Sequence, residues 1–182
     1  MKYIFSAIFL YFFLGLLLFI FQRRIVFNKS GHPGSPRDYN LSNTKEVFIT
    51  TDDGINLLSW YYQGDTKLPL LVYFQGNSFH IGDRAYRIEK YISKNWNVLL
   101  ISWRGFGGNK GNPTEKNFYK DGEAVLKWIK EKTNFKFEQI VIYGESLGSG
   151  VAVELGTKYN FLSIVLEAPF TSIEDIAKKR YR

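Results

Sequence analysis

The residues with the clearest chemical potential are Gly144-Glu145-Ser146-Leu147-Gly148, set between an apolar β-type run, Gln139–Tyr143 (QIVIY), and a segment of helical character, Leu147–Lys158. A serine can serve as a nucleophile when the chain turns so sharply from strand to helix that its Oγ projects above the sheet. At such a bend a side chain two residues before or after would strike the neighbouring strand or helix, and here positions 144 and 148 are both glycine. The following helix would aim free first-turn amides, and the positive end of its dipole, at an oxyanion forming in front of the serine. Ser146 is therefore the candidate nucleophile and the Leu147 N–H a candidate oxyanion donor, with Gly144 and Gly148 permitting the turn. A bare G-x-S-x-G also arises by chance. Its weight here comes from the apolar strand before it and the small residues Ser149, Gly150 and Ala152 after it, which suit a helix packed tightly on a sheet. A phosphate-binding turn is the rival reading. Gly148-Ser149-Gly150 followed by Val153 breaks the dinucleotide spacing, and no Lys-Ser/Thr pair makes a P-loop.

The elements that would position this serine can be read from periodicity. Lys45–Thr50 and Ile55–Tyr62 are β-rich and flank Asp52-Asp53-Gly54, a hairpin turn signal. Pro69–Phe74 (PLLVYF) is a continuous apolar run, as expected of a strand covered on both faces. After Gly82 the spacing of Ala85, Ile88 and Ile92 predicts a helix, and Asn97–Ile101 (NVLLI) predicts the next strand. Thr114 suits the cap of a further helix with Phe118, Gly122, Val125 and Ile129 along one stripe. Leu162–Glu167 (LSIVLE) predicts a sixth strand. A hairpin followed by β-α-β-α-β-α-β implies an α/β fold with a mainly parallel sheet and helices on both faces.

Tyr3–Phe21 (YIFSAIFLYFFLGLLLFIF) contains no charged side chain. As a helix it would span about 28 Å, close to the roughly 30 Å hydrocarbon core of a bilayer. It ends in Phe21-Gln22-Arg23-Arg24 with no small-residue cleavage site, so a retained single-pass anchor is expected rather than a removed signal peptide. Arg23, Arg24 and Lys29 after the span, against Lys2 before it, lean toward a cytoplasmic main domain. The implied organisation is an anchor and flank over residues 1–29, a linker rich in Gly, Pro, Ser and Asn over residues 30–44, and a catalytic-type domain over residues 45–182.

The formal net charge of +7 does not imply nucleic-acid binding. Lys2, Arg23, Arg24 and Lys29 lie in the first thirty residues, and Lys178, Lys179, Arg180 and Arg182 among the last five, leaving the central domain nearly neutral. A nucleic-acid binder needs a concentrated basic face. With no cysteine, disulfides, thiolate zinc sites and cysteine nucleophiles are excluded. No metal-ligand cluster is evident, and no cofactor is expected.

Several of these segments together resemble the α/β-hydrolase superfamily, in particular its single-pass, membrane-anchored serine hydrolases. Phe74-Gln75-Gly76-Asn77 resembles that group's strand-end His-Gly-Asn. Arg104-Gly105-Phe106-Gly107 and Gly111-Asn112-Pro113-Thr114-Glu115 resemble its Arg-Gly-Tyr-Gly and Gly-x-Pro-Thr-Glu loop, and Glu167-Ala168-Pro169-Phe170 its segment after the sixth strand. The resemblance implies that the backbone N–H of Asn77 is the second oxyanion donor, and that the substrate is an acyl or ester compound, with esterase, thioesterase, lipase and amidase chemistry all open. Two positions depart from the pattern: Gln75 replaces a histidine, and Ser102 stands where an aspartate is usual.

In this family the triad runs Ser, acid, His, with the last two on loops after strands seven and eight. The sequence reads as stopping after strand six, so a shortened and inactive N-terminal fragment, or a half completed by a second chain, is expected. The two histidines are His32, in the linker, and His80, in the loop after Asn77; neither is expected to act as base. Glu145, the variable residue of the turn, and Glu167, in a structural segment, are equally poor candidates for the acid. Loss of the histidine from a serine triad costs on the order of 10⁶ in turnover. A non-catalytic, membrane-tethered binding or scaffold protein on a hydrolase fold is the alternative.

Overall fold

The computed structural model describes residues 2–27, 31–77 and 79–180. Lys29 of the anchor flank, the first linker residue Ser30, and Arg182 lie outside the described residues.

Six strands form one sheet: β1 (Lys45–Thr50), β2 (Asn56–Tyr62), β3 (Leu70–Phe74), β4 (Asn97–Ile101), β5 (Ile140–Glu145) and β6 (Ser163–Glu167), in spatial order β1-β2-β4-β3-β5-β6. β1 and β2 pair antiparallel through a turn in which Gly54 takes φ 79°, and β2 pairs antiparallel with β4. The remaining pairs, β4–β3, β3–β5 and β5–β6, are parallel. The helices are α1 (Lys2–Val26), α2 (Ala85–Ile92), α3 (Glu115–Lys132), α4 (Leu147–Gly156) and α5 (Ile173–Arg180). The expected α/β fold with a mainly parallel sheet is the observed one.

Strand side chains alternate between two cores, as a period of two requires. Leu70, Val72, Phe74, Leu99, Ile101, Ile140 and Ile142 face α3 and α4, where Val125, Ile129, Val151 and Leu155 meet them. Leu71, Tyr73, Val98 and Leu100 face Ile88 of α2 on the other side. Thr114 caps α3, accepting from the Asn117 N–H at 3.2 Å. Arg104 ties α3 to the β1–β2 turn: its guanidinium donates to Asp121 at 2.7 Å and to both carboxylate oxygens of Asp53 at 2.8 and 3.0 Å.

Two departures from the sequence reading have physical causes. Residues 31–44 are packed rather than spanning freely: Leu41 is buried, and Tyr39 lies against Trp60, ring centroids 5.4 Å apart. The polar composition of the segment hides these two anchors. Phe27, placed with the anchor flank, is buried in the domain core against Phe106 and Phe118 at 6.3 and 5.7 Å. β6 lies at the sheet edge, and its Ile164, Val165 and Leu166 are exposed.

α1 is the exception to this packing. Tyr3–Gln22 carries no charged side chain, has a mean hydropathy of 2.7, and is not buried against the rest of the protein. An apolar helix of 20 residues that contacts no core has the length and composition of a bilayer span.

Candidate active site

The order β4-β3-β5 makes the gap between β3 and β5 the place where the chain changes direction: it leaves β3 toward β4 and returns past β3 to form β5. Ligands of open α/β sheets bind at such a switch, beyond the carboxyl ends of the strands. Gln75-Gly76-Asn77 follow β3 there, and Ser146 follows β5.

Ser146 sits between β5 and α4 with φ 47° and ψ −108°, a backbone conformation that costs a non-glycine residue of order 1–3 kcal/mol. The turn is held by neighbours on both sides. The Ser146 N–H donates to the Glu167 carbonyl at the end of β6, at 2.8 Å, and the Ser146 carbonyl accepts from the Ser149 N–H at 2.9 Å. The two flanking glycines are compelled by space. A Cβ on Gly144 would lie 2.7 Å from the Gly148 carbonyl oxygen, and one on Gly148 would overlap the backbone carbonyl of Phe74. These are backbone obstacles that cannot rotate away.

Gly76 closes the other side: a Cβ there would come within 3.4 Å of the Ser146 Cβ and 3.0 Å of a Glu145 carboxylate oxygen. Asn77 and Leu147 thus bracket the serine from β3 and α4, and among the described residues neither backbone N–H has a hydrogen-bond acceptor. Two unengaged amides beside a half-buried hydroxyl are what an oxyanion site requires. The loop carrying Asn77 is held from outside the sheet. Trp103 Nε1 donates to the Gln75 carbonyl at 2.8 Å, and the Asn77 side-chain amide donates to the Val26 carbonyl at the end of α1, at 2.5 Å. Gln75, in the family's histidine position, is fully buried, and among the described residues neither polar atom of its side chain finds a partner. The departure noted in the sequence thus leaves a buried amide unanswered under the loop.

Glu145 has a larger part than a variable position implies. Its carboxylate accepts from Arg84 Nη2 at 2.6 Å, Arg84 Nε at 3.0 Å and the Tyr73 hydroxyl at 2.8 Å. Burial alone would raise the Glu145 carboxyl; the hydrogen bonds from Arg84 and Tyr73 outweigh it and hold the group below the ordinary glutamate range. The same motif repeats one strand over. The Tyr143 hydroxyl and Arg87 donate to Glu167 at 2.7 and 2.5 Å and lower its carboxyl in turn. Tyr73 and Tyr143 stack at 4.7 Å between the two pairs, and burial pushes the Tyr143 phenol up to about 12. The signal was present in the sequence as arginines at positions 84 and 87, three apart on one helical face, but nothing local says that they reach β5 and β6.

The remaining candidates lie apart from this constellation. His80 packs beside Gly31, Gly82 and Gly107, and its Nδ1 is buried with no hydrogen-bond partner among the described residues. His32 hydrogen-bonds through its ring to the Gly34 N–H at 3.1 Å. Ser102 is buried, its hydroxyl 3.4 Å from the Phe106 carbonyl. Among the described residues no hydrogen bond reaches the Ser146 hydroxyl, and no group of three or more His, Cys, Asp or Glu could hold a metal ion.

This sheet, with a serine at the bend after its fifth strand, defines the class as an α/β-hydrolase fold. Its backbone overlays that of the Pyrococcus furiosus esterase Pf2001 with a TM-score of 0.67 at 25% identity, over 78% of this chain and 58% of that one. The sequence is 32% identical over 174 residues to the α/β-hydrolase domain-containing protein WAV2 of Arabidopsis thaliana, covering 88% of this chain and 56% of WAV2. It is 28% identical over 171 residues to the lysophosphatidylserine lipase ABHD12 of Danio rerio, covering 79% and 44%. The family model described as "Accessory Sec system GspB-transporter" matches residues 48–181, and the chain belongs to that family within the α/β-hydrolase superfamily. The curated relatives are longer: the chain spans at most 61% of those compared.

Proposed function

We propose that the chain carries the nucleophile and oxyanion site of a membrane-anchored serine hydrolase acting on an acyl ester. Ser146 Oγ attacks the acyl carbon, and the Leu147 and Asn77 amides receive the negative charge that forms on the carbonyl oxygen. The observation that carries the reading is the backbone of Ser146, φ 47° and ψ −108° at a strand-to-helix bend, since so costly a conformation persists where it serves the site. The names lipase and esterase, borne by the zebrafish relative and the archaeal structure, support hydrolytic chemistry. The unburied span Tyr3–Gln22 supports a single crossing of a lipid bilayer, and Arg23, Arg24 and Lys29 after it, against Lys2 before it, support a main domain on the cytoplasmic side.

The chemistry needs a base as well. The reading assigns the histidine and its carboxylate to polypeptide outside these 182 residues, in the same chain or in a second one. The serine proton passes to that base and on to the departing alcohol; water then cleaves the acyl-serine and releases the acid. Residues 1–182 by themselves turn over close to nothing. The reaction is acyl transfer and calls for no cofactor. The test is a fluorophosphonate probe applied to protein completed by such polypeptide: Ser146 is labelled, and label and ester hydrolysis vanish together in Ser146→Ala. Hydrolysis that survives the substitution overturns the reading.

A second reading, a membrane-tethered binding or scaffold protein on the same fold, is favoured by the family description, which names a transporter. It predicts no labelling of Ser146 in any form of the protein and an unchanged phenotype in Ser146→Ala.

A further inference from the structure

Phe79 is 48% exposed, and its backbone takes φ 51°. A single exposed apolar side chain is ordinary on a protein surface. A bulky one on left-handed backbone is not, because the Cβ crowds the neighbouring carbonyl and glycine or asparagine would take the turn at less cost. The domain thus presents an aromatic ring outward from a position that suits it poorly, two residues after Asn77.

The position of that ring is set by the chain leaving α1. On one side of Phe79 the Asn77 side-chain amide donates to the Val26 carbonyl at 2.5 Å. On the other, the His80 ring lies so close to Gly31 that a Cβ on that glycine would fall 2.6 Å from His80 Cδ2. Phe27, directly after α1, is buried in the core, so the helix end is packed against the domain as well as joined to it. Phe79 therefore belongs to a loop clasped by residues just beyond the apolar helix.

Helix geometry gives the depth of that clasp. Tyr3–Gln22 is 20 residues long, about 30 Å, which matches the hydrocarbon core of a bilayer. α1 continues to Val26, about 6 Å further. The headgroup layer on each side of a bilayer is about 5–8 Å thick. The Val26 carbonyl then lies near the outer limit of the headgroups, and Phe79 is no more than about 7 Å of chain from Asn77, which bonds to it. Aromatic rings concentrate at this level of membrane proteins, where an apolar body can leave water without entering the hydrocarbon centre.

We propose that Phe79 is a second membrane contact, its ring seated among the headgroups of the bilayer that α1 crosses. The loop carrying Asn77 then rests on the lipid surface. The contact is made by an uncharged ring, so a zwitterionic phospholipid surface suffices as the partner. This rests on the single crossing proposed above for α1, and not on the reactivity of Ser146.

The test uses the full chain in phosphatidylcholine vesicles whose acyl chains carry bromine, a short-range quencher of tryptophan, either near the headgroups or at the chain ends. Three variants each add one tryptophan, read as the difference from the parent: Phe79→Trp, Phe12→Trp within the span, and Lys94→Trp, an exposed position just before β4 at the opposite end of the sheet. The tryptophan added at 79 should emit to the blue of the one added at 94, and lose more intensity to bromine near the headgroups than to bromine at the chain ends. The one added at 12 should show the reverse preference. The one added at 94 should be quenched by neither, which establishes that an exposed tryptophan does not by itself draw this domain onto lipid. Quenching at 12 with none at 79, or equal quenching at 79 and 94, overturns the proposal while the crossing by α1 stands. Quenching at 79 that is stronger from the chain ends overturns the headgroup depth, and the proposal with it. No quenching at 12 overturns the crossing itself, and with it the contact that depends on it.

Discussion

Removal of Arg84 should destabilise the protein by an amount that depends on pH in the direction opposite to that of the parent. Arg84 and Glu145 are 10% and 13% exposed, and two guanidinium nitrogens reach the carboxylate, at 2.6 and 3.0 Å. Arg84→Met leaves Glu145 with the Tyr73 hydroxyl and the neighbouring Arg87 field, and otherwise buried. Breaking one side of such a pair costs about 3–5 kcal/mol, a large part of the roughly 5–15 kcal/mol that holds a domain together. Arg84→Met with Glu145→Gln removes the orphaned charge, keeps an acceptor for Tyr73, and should cost only about 1–2 kcal/mol. In the parent the Glu145 carboxyl lies below its ordinary 4.5, so its contribution is full above that value and is lost as pH falls through the lowered one. In Arg84→Met burial dominates and raises the carboxyl. The deficit is then full above the raised value and shrinks as pH falls toward 4.5. Urea unfolding in detergent micelles, followed by the fluorescence of buried Trp60 and Trp103, measures this at neutral pH and near the ordinary glutamate value. A cost under about 1 kcal/mol at neutral pH, or a deficit that does not shrink on acidification, would refute the assignment of Glu145 as an ionised, Arg84-dependent strut.

Two further substitutions probe the same turn and loop. Ser146→Gly should raise stability by about 1 kcal/mol, because glycine accepts φ 47° without the penalty of a Cβ, whereas Ser146→Ala keeps the strain and should change it by less than about 0.5 kcal/mol; thermal unfolding of the three proteins separates them. Gln75→Met replaces a buried amide that has no partner among the described residues with an apolar side chain of similar length, so stability should hold or rise by about 1 kcal/mol, and a loss of more than that in urea unfolding would show that the amide is in fact engaged.

What the sequence discloses here is set by how local each constraint is. β4 falls at Asn97–Ile101, as its unbroken apolar run requires, and the α3 cap at Thr114 follows from a hydroxyl three residues before the amide it receives. The bend at Ser146 is legible because its two glycines answer obstacles close to the strand-turn-helix unit itself. Contacts that close across the fold leave no such trace. Nothing near Glu145 announces Arg84, 61 residues earlier, and nothing near Phe27 announces Phe118, its partner on the far side of the hairpin and α2. Gly150 illustrates a third case. It reads as one more small residue in a tightly packed helix, and only the empty space around it distinguishes it from Gly144 and Gly148.

The convergence of three distant segments on Ser146 makes the end of α1 part of the site's architecture. For Asn77 to act as an oxyanion donor its backbone N–H has to face the serine, yet glycine precedes it and the buried Gln75 side chain gives it no hydrogen bond among the described residues. Among the described residues, the side-chain bonds that restrain it are the Trp103 indole on the Gln75 carbonyl and the Asn77 side chain on the carbonyl of Val26. Trp103 in turn packs on Phe74 and Phe118, with ring centroids at 5.3 and 5.2 Å, and Phe118 meets Phe27. Both restraints therefore lead back to the two residues where the apolar helix ends. A burial of this kind is worth about 3–5 kcal/mol for a phenylalanine, far more than an exposed linker could supply. The apolar helix α1 is thus tied to the domain core through Phe27, and a shift of α1 relative to the sheet would act on the candidate oxyanion loop before it acted on the serine.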